Sequence, residues 1–134
     1  MLTAEDKWAI GETLALHGHL FDEGELDRLD ELFTDDVVYD VSALGYDVYV
    51  GIDAIRESAL ALGADNPLAH IVTNVMITET GDDTATVRSK GIAILADRGA
   101  GTATYVDTVR RGPHGWRISH RRILPRRTPL GGLG

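Results

Sequence analysis

The chain has 134 residues, 43% hydrophobic and 25% charged, with a net charge of −8. That composition suits one globular domain able to bury a core. The negative charge argues against nucleic acid or an anionic membrane as the main partner, and the absence of cysteine removes disulfides, thiolate catalysis and zinc-thiolate sites. No apolar run approaches the ~20 residues needed to cross a bilayer. The start, Met1 to Asp6, lacks the basic and apolar regions of a leader peptide, so a cytoplasmic location is expected.

Thr3 followed by Asp6 is a capping-box start for a helix running from Ala4 to Glu23 and stopped by Gly24. Its i, i+3, i+4 spacing groups Asp22 with Trp8, Gly11, Ala15 and Gly18. That stripe is small apart from Trp8, so the spacing predicts that Asp22 and Trp8 face a cavity. A short helix from Glu25 to Phe33 carries Leu26, Leu29 and Leu32 at helical spacing. Thr34 to Asp36 reads as a turn. Val37–Val41 and Tyr46–Val50 are β-rich, and Gly51 to Leu62 reads as a third helix. After a loop at Gly63–Pro67 come four strands: His70–Thr80, Thr84–Ala96, Thr102–Arg111 and Trp116–Leu124. Residues 125–134 read as a tail behind a single domain of residues 1–124. Helices first and an antiparallel sheet second predict an α+β fold, with the strongly curved sheet wrapped into a cone around the N-terminal helices.

Asp22 and His70 are ionisable residues embedded in apolar sequence, one closing the first helix and the other opening the first long strand. If they meet, the chain has a carboxylate-oriented imidazole, a general acid/base. A helix C-terminus is a poor place for a negative charge, so Asp22 calls for a compensating partner. Strand alternation puts His70, Val72, Asn74 and Met76 on one face, which makes Asn74 a candidate ligand contact. At ~100° per residue, His19 lies about 60° from Asp22 and His17 about 140° away, so geometry favours His19 as the nearer neighbour and one of the two belongs at the surface. Arg121 alternates with Ser119 and Arg117, opposite Trp116, so a regular strand points it outward. A bulge is needed to turn it into a pocket, and otherwise His120 or Arg122 takes that place. Tyr39, Tyr46, Tyr49 and Tyr105 are candidate lining residues, with core packing as the competing role. No histidine–carboxylate spacing matches a metal site, and no glycine loop suits a phosphate.

Three phrases carry a family likeness: Gly24 to Asp36, Gly51-Ile52-Asp53-Ala54-Ile55-Arg56, and Gly115-Trp116-Arg117-Ile118. With the order helix, short helix, strand, helix, four-strand meander, the chain resembles the SnoaL-like group of the nuclear transport factor 2 fold superfamily. By residues it is most similar to the scytalone dehydratase, bile-acid dehydratase and dehydrochlorinase branch. The resemblance implies a cofactor-free dehydratase, elimination or cyclisation enzyme acting on a small hydrophobic, polyketide- or steroid-like substrate. It implies His70 as the proton acceptor, Asp22 as its orienting group, and His17 and Arg121 as further catalytic groups. It implies a homodimer or homotrimer. Phe21 stands where scytalone dehydratase has a tyrosine, and Ser89 and Lys90 where it has a second histidine. Ketosteroid isomerase is the competing likeness, with Asp40 in Tyr39-Asp40-Val41 as base. A non-catalytic ligand-binding or dimerisation module is the third reading. It would be favoured by an Asp22 out of reach of His70.

Overall fold

The structure, a computed structural model, describes residues 1–133. Helix α1 (Ala4–Asp22) opens as expected: the Thr3 side chain accepts the Asp6 N–H, and the Asp6 carboxylate accepts the Thr3 N–H. Its buried positions are Asp6, Ile10, Thr13, Leu14, His17, Gly18 and Leu20. This is a different stripe from the one expected. Burying Ile10 and Leu14 fixes the rotation of the helix, because aliphatic side chains gain most from leaving water. Trp8 then lies nearly opposite Ile10 and is 73% exposed, its indole N–H donating to Glu12. Trp8 and Ala15 therefore do not face a cavity, and of the predicted stripe only Gly18 is buried.

A 3-10 turn (Leu26–Glu31) leads into β1 (Phe33–Asp40). The expected turn at Thr34–Asp36 is part of that strand. Then come β2 (Val48–Val50), α2 (Ile52–Leu62), β3 (Ala69–Gly81), β4 (Thr84–Ile94), β5 (Ala100–Gly112) and β6 (Gly115–Arg126). The sheet order is β2-β1-β6-β5-β4-β3. All pairs are antiparallel except β1 with β6, so the sheet is mixed rather than wholly antiparallel. The meander brings its last strand back beside β1 in the same direction, which a sequence of hairpins alone cannot reveal. β6 runs two residues past Leu124, and Pro129–Gly132 forms a 3-10 turn. Gly134, the end of the expected tail, lies outside the described residues.

The core joins Ile10, Leu14 and Leu20 of α1 to Phe33 and Val37 of β1, Ile55 of α2, and Val87, Val109 and Ile118 of the sheet. Asp6 ties the start of α1 to the sheet, accepting from Arg111 at 2.7 Å and from the Trp116 indole at 3.3 Å. Three register shifts interrupt the meander; one falls between Glu79 and Gly81 near the end of β3, and the other two bear on the site. One lies in β3 between Thr73 and Met76, where Asn74 has φ +56°. The other lies in β6, where Thr108 pairs with His120 but Val109 pairs with Ile118, leaving Ser119 as the extra residue. A bulge reverses which side chains face inward beyond it. Among the described residues no helix is long and apolar enough to cross a membrane.

Candidate active site

The inner face of the sheet, α2 and the end of α1 enclose a cavity of about 820 Å³. That is within the usual range for sites that bury a small molecule. Its body is apolar, with Phe21, Val41, Leu44, Leu62, Ala103 and Ile123 on its walls. Polar side chains reach it from His17, His70 and four tyrosines, Tyr39, Tyr46, Tyr49 and Tyr105.

Asp22 and His70 meet at one side of this cavity. The imidazole Nδ1 lies 2.6 Å from Asp22 Oδ1, and the backbone N–H of His70 donates to Asp22 Oδ2 at 2.9 Å. Both carboxylate oxygens are thus held by one residue. With an acceptor-only carboxylate at Nδ1, that nitrogen carries the proton and Nε2 carries the lone pair. Nε2 makes no hydrogen bond among the described residues, and the ring lines the cavity. The Asp22 and His70 side chains are 22% and 17% exposed, shielded enough for the pair to be stronger than in water.

Gly18 makes this meeting possible. It lies one turn before Asp22, and a Cβ there would collide with the backbone carbonyl of His70. Only a residue without a side chain lets α1 approach the start of β3 so closely. Asp22 can then reach both the ring and the N–H of His70, which also answers the poor electrostatics of a carboxylate at a helix end.

Of the two helical histidines, His17 belongs to the cavity. Its ring is 1% exposed and stands edge-on to His70, with centroids 5.2 Å apart. Neither ring nitrogen has a partner among the described residues. Burial, then the charges of Arg121 and His70, pushes its pKa well below the ordinary imidazole value, so His17 is neutral. His19 is exposed and lines a shallow groove on the outer side of α1 with Trp116 and His114, away from the cavity. The phase of the helix is set by its aliphatic residues, not by closeness to Asp22.

Arg121 turns inward because of the bulge at Ser119. It is completely buried and forms a bidentate pair with buried Asp107, Nε to Oδ1 at 2.7 Å and Nη2 to Oδ2 at 2.8 Å. Its guanidinium lies 4.6 Å from the centre of the Tyr105 ring, and Nη1 has no partner among the described residues. Arg121 therefore sits behind the cavity wall, with Tyr105 between it and the space. Tyr105 in turn rests on Gly91, where a Cβ would overlap the ring and its hydroxyl. Burial pushes the pKa of Tyr105 up against the opposing pull of Arg121, and burial likewise raises Tyr39, so both phenols stay protonated.

Three further expectations are corrected. Asp40 does not line the cavity. Its carboxylate accepts from the backbone N–H and hydroxyl of Ser42 at 3.0 and 2.6 Å, and these bonds lower its pKa. That is the wrong direction for a base. Asn74 is exposed at the β3 bulge and also lies outside the cavity. Trp8 is exposed on the far side of α1. Tyr39 and Tyr49 do line the space. Sequence reasoning passed over Gly91 and Asp107, and read Gly18 only as a small residue leaving space beside Asp22. A glycine one turn from a candidate carboxylate, and another in the middle of a strand, were the available signals of close approach. Among the described residues no three histidine or carboxylate side chains converge in a way that could hold a metal ion.

Solved structures share this architecture. One is a candidate aromatic ring hydroxylase from Novosphingobium aromaticivorans, 29% identical, with a TM-score of 0.82 over 96% of this chain and 94% of that one. A second is a candidate scytalone dehydratase from the same species, 22% identical, with a TM-score of 0.77 over 91% and 85%. LinA is 19% identical, with a TM-score of 0.80 over 96% and 92%. At such identities the last two establish the fold, which is the nuclear transport factor 2-like, or cystatin-like, arrangement. No curated protein matches the sequence significantly. The sequence model of the SnoaL-like domain matches residues 2–122, nearly the whole chain, and the chain therefore belongs to the SnoaL-like domain family.

Proposed function

We propose that the chain is a lyase or isomerase that moves protons with a His70–Asp22 dyad, acting on a small hydrophobic substrate held in the cavity. The observation that carries this reading is the double attachment of Asp22 to His70, to the ring at 2.6 Å and to the backbone at 2.9 Å. It fixes both the tautomer and the orientation of the imidazole, as a general base requires.

In the proposed reaction His70 Nε2 removes a proton alpha to a carbonyl. Asp22 stabilises the imidazolium that forms. The negative charge developing on the carbonyl oxygen is met by a phenol of the wall, Tyr105 or Tyr39, each kept protonated by its surroundings. Buried Arg121 behind the Tyr105 ring favours negative charge on the phenol, opposed in part by its ion-pair partner Asp107. If the beta carbon carries a hydroxyl, the C–O bond breaks as the double bond forms, and imidazolium returns the proton to release water. If it carries a halide, the halide leaves with the electron pair. If there is no leaving group, reprotonation at another carbon gives an isomer. Each route needs one base and one hydrogen-bond donor. Neutral His17 beside His70 leaves the dyad as the proton-accepting centre, because its own basicity is suppressed.

The test is elimination from bicyclic beta-hydroxy ketones, followed by absorbance of the conjugated product. Wild-type protein should accelerate release of water from at least one member of such a panel. His70→Ala and Asp22→Asn should each remove the acceleration while retaining the fold by circular dichroism. Turnover undiminished in both variants would refute the proposal.

A further inference from the structure

The cavity extends well beyond the dyad, and its far end is basic. Strand register shows how the two ends are joined. His70 pairs with Ala93, and Ala93 pairs with Gly101. Thr102 pairs with Arg126, where β6 ends, and Arg127 follows directly and lines the cavity together with Gly101. The next row inward is Val72, Gly91, Ala103 and Pro125. Between His70 and the end of β6 the wall carries Ala93, Gly101 and Ala103, while the Tyr105 ring rests on Gly91. Three strand spacings separate β3 from β6, about 14 Å along the sheet. Gly91, Ala93, Gly101, Ala103 and Arg127 all line the cavity.

Arg127 is exposed and makes no ion pair or hydrogen bond among the described residues. Arg28, Arg56, Arg110 and Arg111 are ion-paired at the surface, whereas Arg88, Arg98 and Arg122, like Arg127, carry no ion pair among the described residues, and of these four only Arg127 lines the cavity. Its neighbour Arg126 also reaches the cavity, but its Nε is engaged, donating to Thr104 at 3.1 Å. Among the described residues Asp65 is the one acidic side chain lining the cavity, against Arg126 and Arg127. A free guanidinium at the mouth is suited to a carboxylate, which it can engage through two parallel bonds.

We propose that the substrate is a flat, fused-ring molecule with a carboxylate or similar anionic group remote from the reacting carbon. The rings lie on the glycine–alanine wall, and the anion is held by Arg127. This rests on the dyad reading for which end reacts. The anion site itself does not depend on chemistry at His70.

The test uses binding rather than turnover. The probes are 2-naphthyl alkanoic acids with chains of graded length and their neutral primary amides, titrated by naphthyl fluorescence at low salt. At the best chain length wild-type protein should bind the acid at least about tenfold more tightly than the amide, the scale of a charge-assisted contact. Arg127→Gln should erase that preference and leave amide affinity unchanged. Arg126→Gln and His70→Ala should keep it. Equal binding of acid and amide by wild-type protein at every length would overturn the proposal, as would a preference that survives Arg127→Gln. A His70→Ala variant that retains turnover but shows the acid preference would sink the dyad and leave this site standing.

Discussion

Replacing Gly18 with alanine separates two physical effects that act in opposite directions. In a helix interior, glycine to alanine stabilises by about 1 kcal/mol, because the unfolded glycine backbone has more freedom to lose. Gly11, on the same helix, has no atom within 4 Å of an added Cβ, so Gly11→Ala should show that gain undiluted. At Gly18 the added Cβ falls about 1 Å inside ordinary contact with the His70 carbonyl oxygen, a backbone atom that cannot swing aside, and overpacking of this kind costs ~1–3 kcal/mol. The two variants should therefore differ by about 2 kcal/mol, or roughly 6–10 °C in Tm for a domain of this size. Opening α1 from β3 by that distance also stretches the 2.6 Å contact between Asp22 and His70 beyond about 3.5 Å, where it is no longer a hydrogen bond. Thermal unfolding reads the first effect. Proton NMR of the far-downfield Nδ1–H resonance of His70 reads the second, which should be present in wild type and Gly11→Ala and lost in Gly18→Ala. A Gly18→Ala protein as stable as Gly11→Ala, with that resonance intact, would refute the account of how the dyad is assembled.

Asp107→Ala leaves the buried Arg121 without its bidentate partner and should cost about 3–5 kcal/mol by urea unfolding, whereas replacing both residues, Asp107→Leu with Arg121→Met, should cost clearly less. Asp40→Asn should leave elimination activity within about twofold of wild type, since that carboxylate serves Ser42 rather than the cavity, and a large loss would revive Asp40 as a base. Asp6 has its pKa lowered, chiefly by Arg111 and then by the Thr3 N–H. Its stabilising contribution is therefore complete above the ordinary carboxylate pKa and is lost as pH falls through the lowered value. Asp6→Asn should flatten the acid limb of a Tm-against-pH curve while changing the slope near neutrality little. An unchanged acid limb would contradict the coupling of Asp6 to Arg111.

The sequence made the helix-then-meander order legible because capping, turn residues and alternation agree along most of the chain. The pairing of Asp22 and His70 was legible for a related reason. Each interrupts an apolar pattern at the end of an element, where a charge needs a partner. What failed was mostly a matter of phase. Trp8 drew the helical stripe toward itself, although Ile10 and Leu14 together outweigh one aromatic ring that can share its indole N–H with Glu12. The same rotation places His17 inside and His19 outside. In the strands, each bulge shifts alternation by one residue. Ser119 brings Arg121 in, and Asn74 loses the face that His70 and Val72 occupy. No local feature of Arg117-Ile118-Ser119-His120-Arg121 announces that shift, which shows only in the register of β6 against β5. The parallel contact between β1 and β6 was hidden for the same reason, since it joins residues far apart in the chain.

The central claim is that His70, oriented by Asp22, accepts a proton from carbon. Exchange of the alpha protons of 2-tetralone in deuterium oxide, followed by proton NMR at a probe concentration shown to saturate binding, measures that step without the natural substrate. Wild-type protein should accelerate exchange, and His70→Ala should lose about 10²–10⁴-fold of the acceleration, the usual weight of a positioned general base. Equal rates for wild type and His70→Ala, with the probe bound to both, would contradict it.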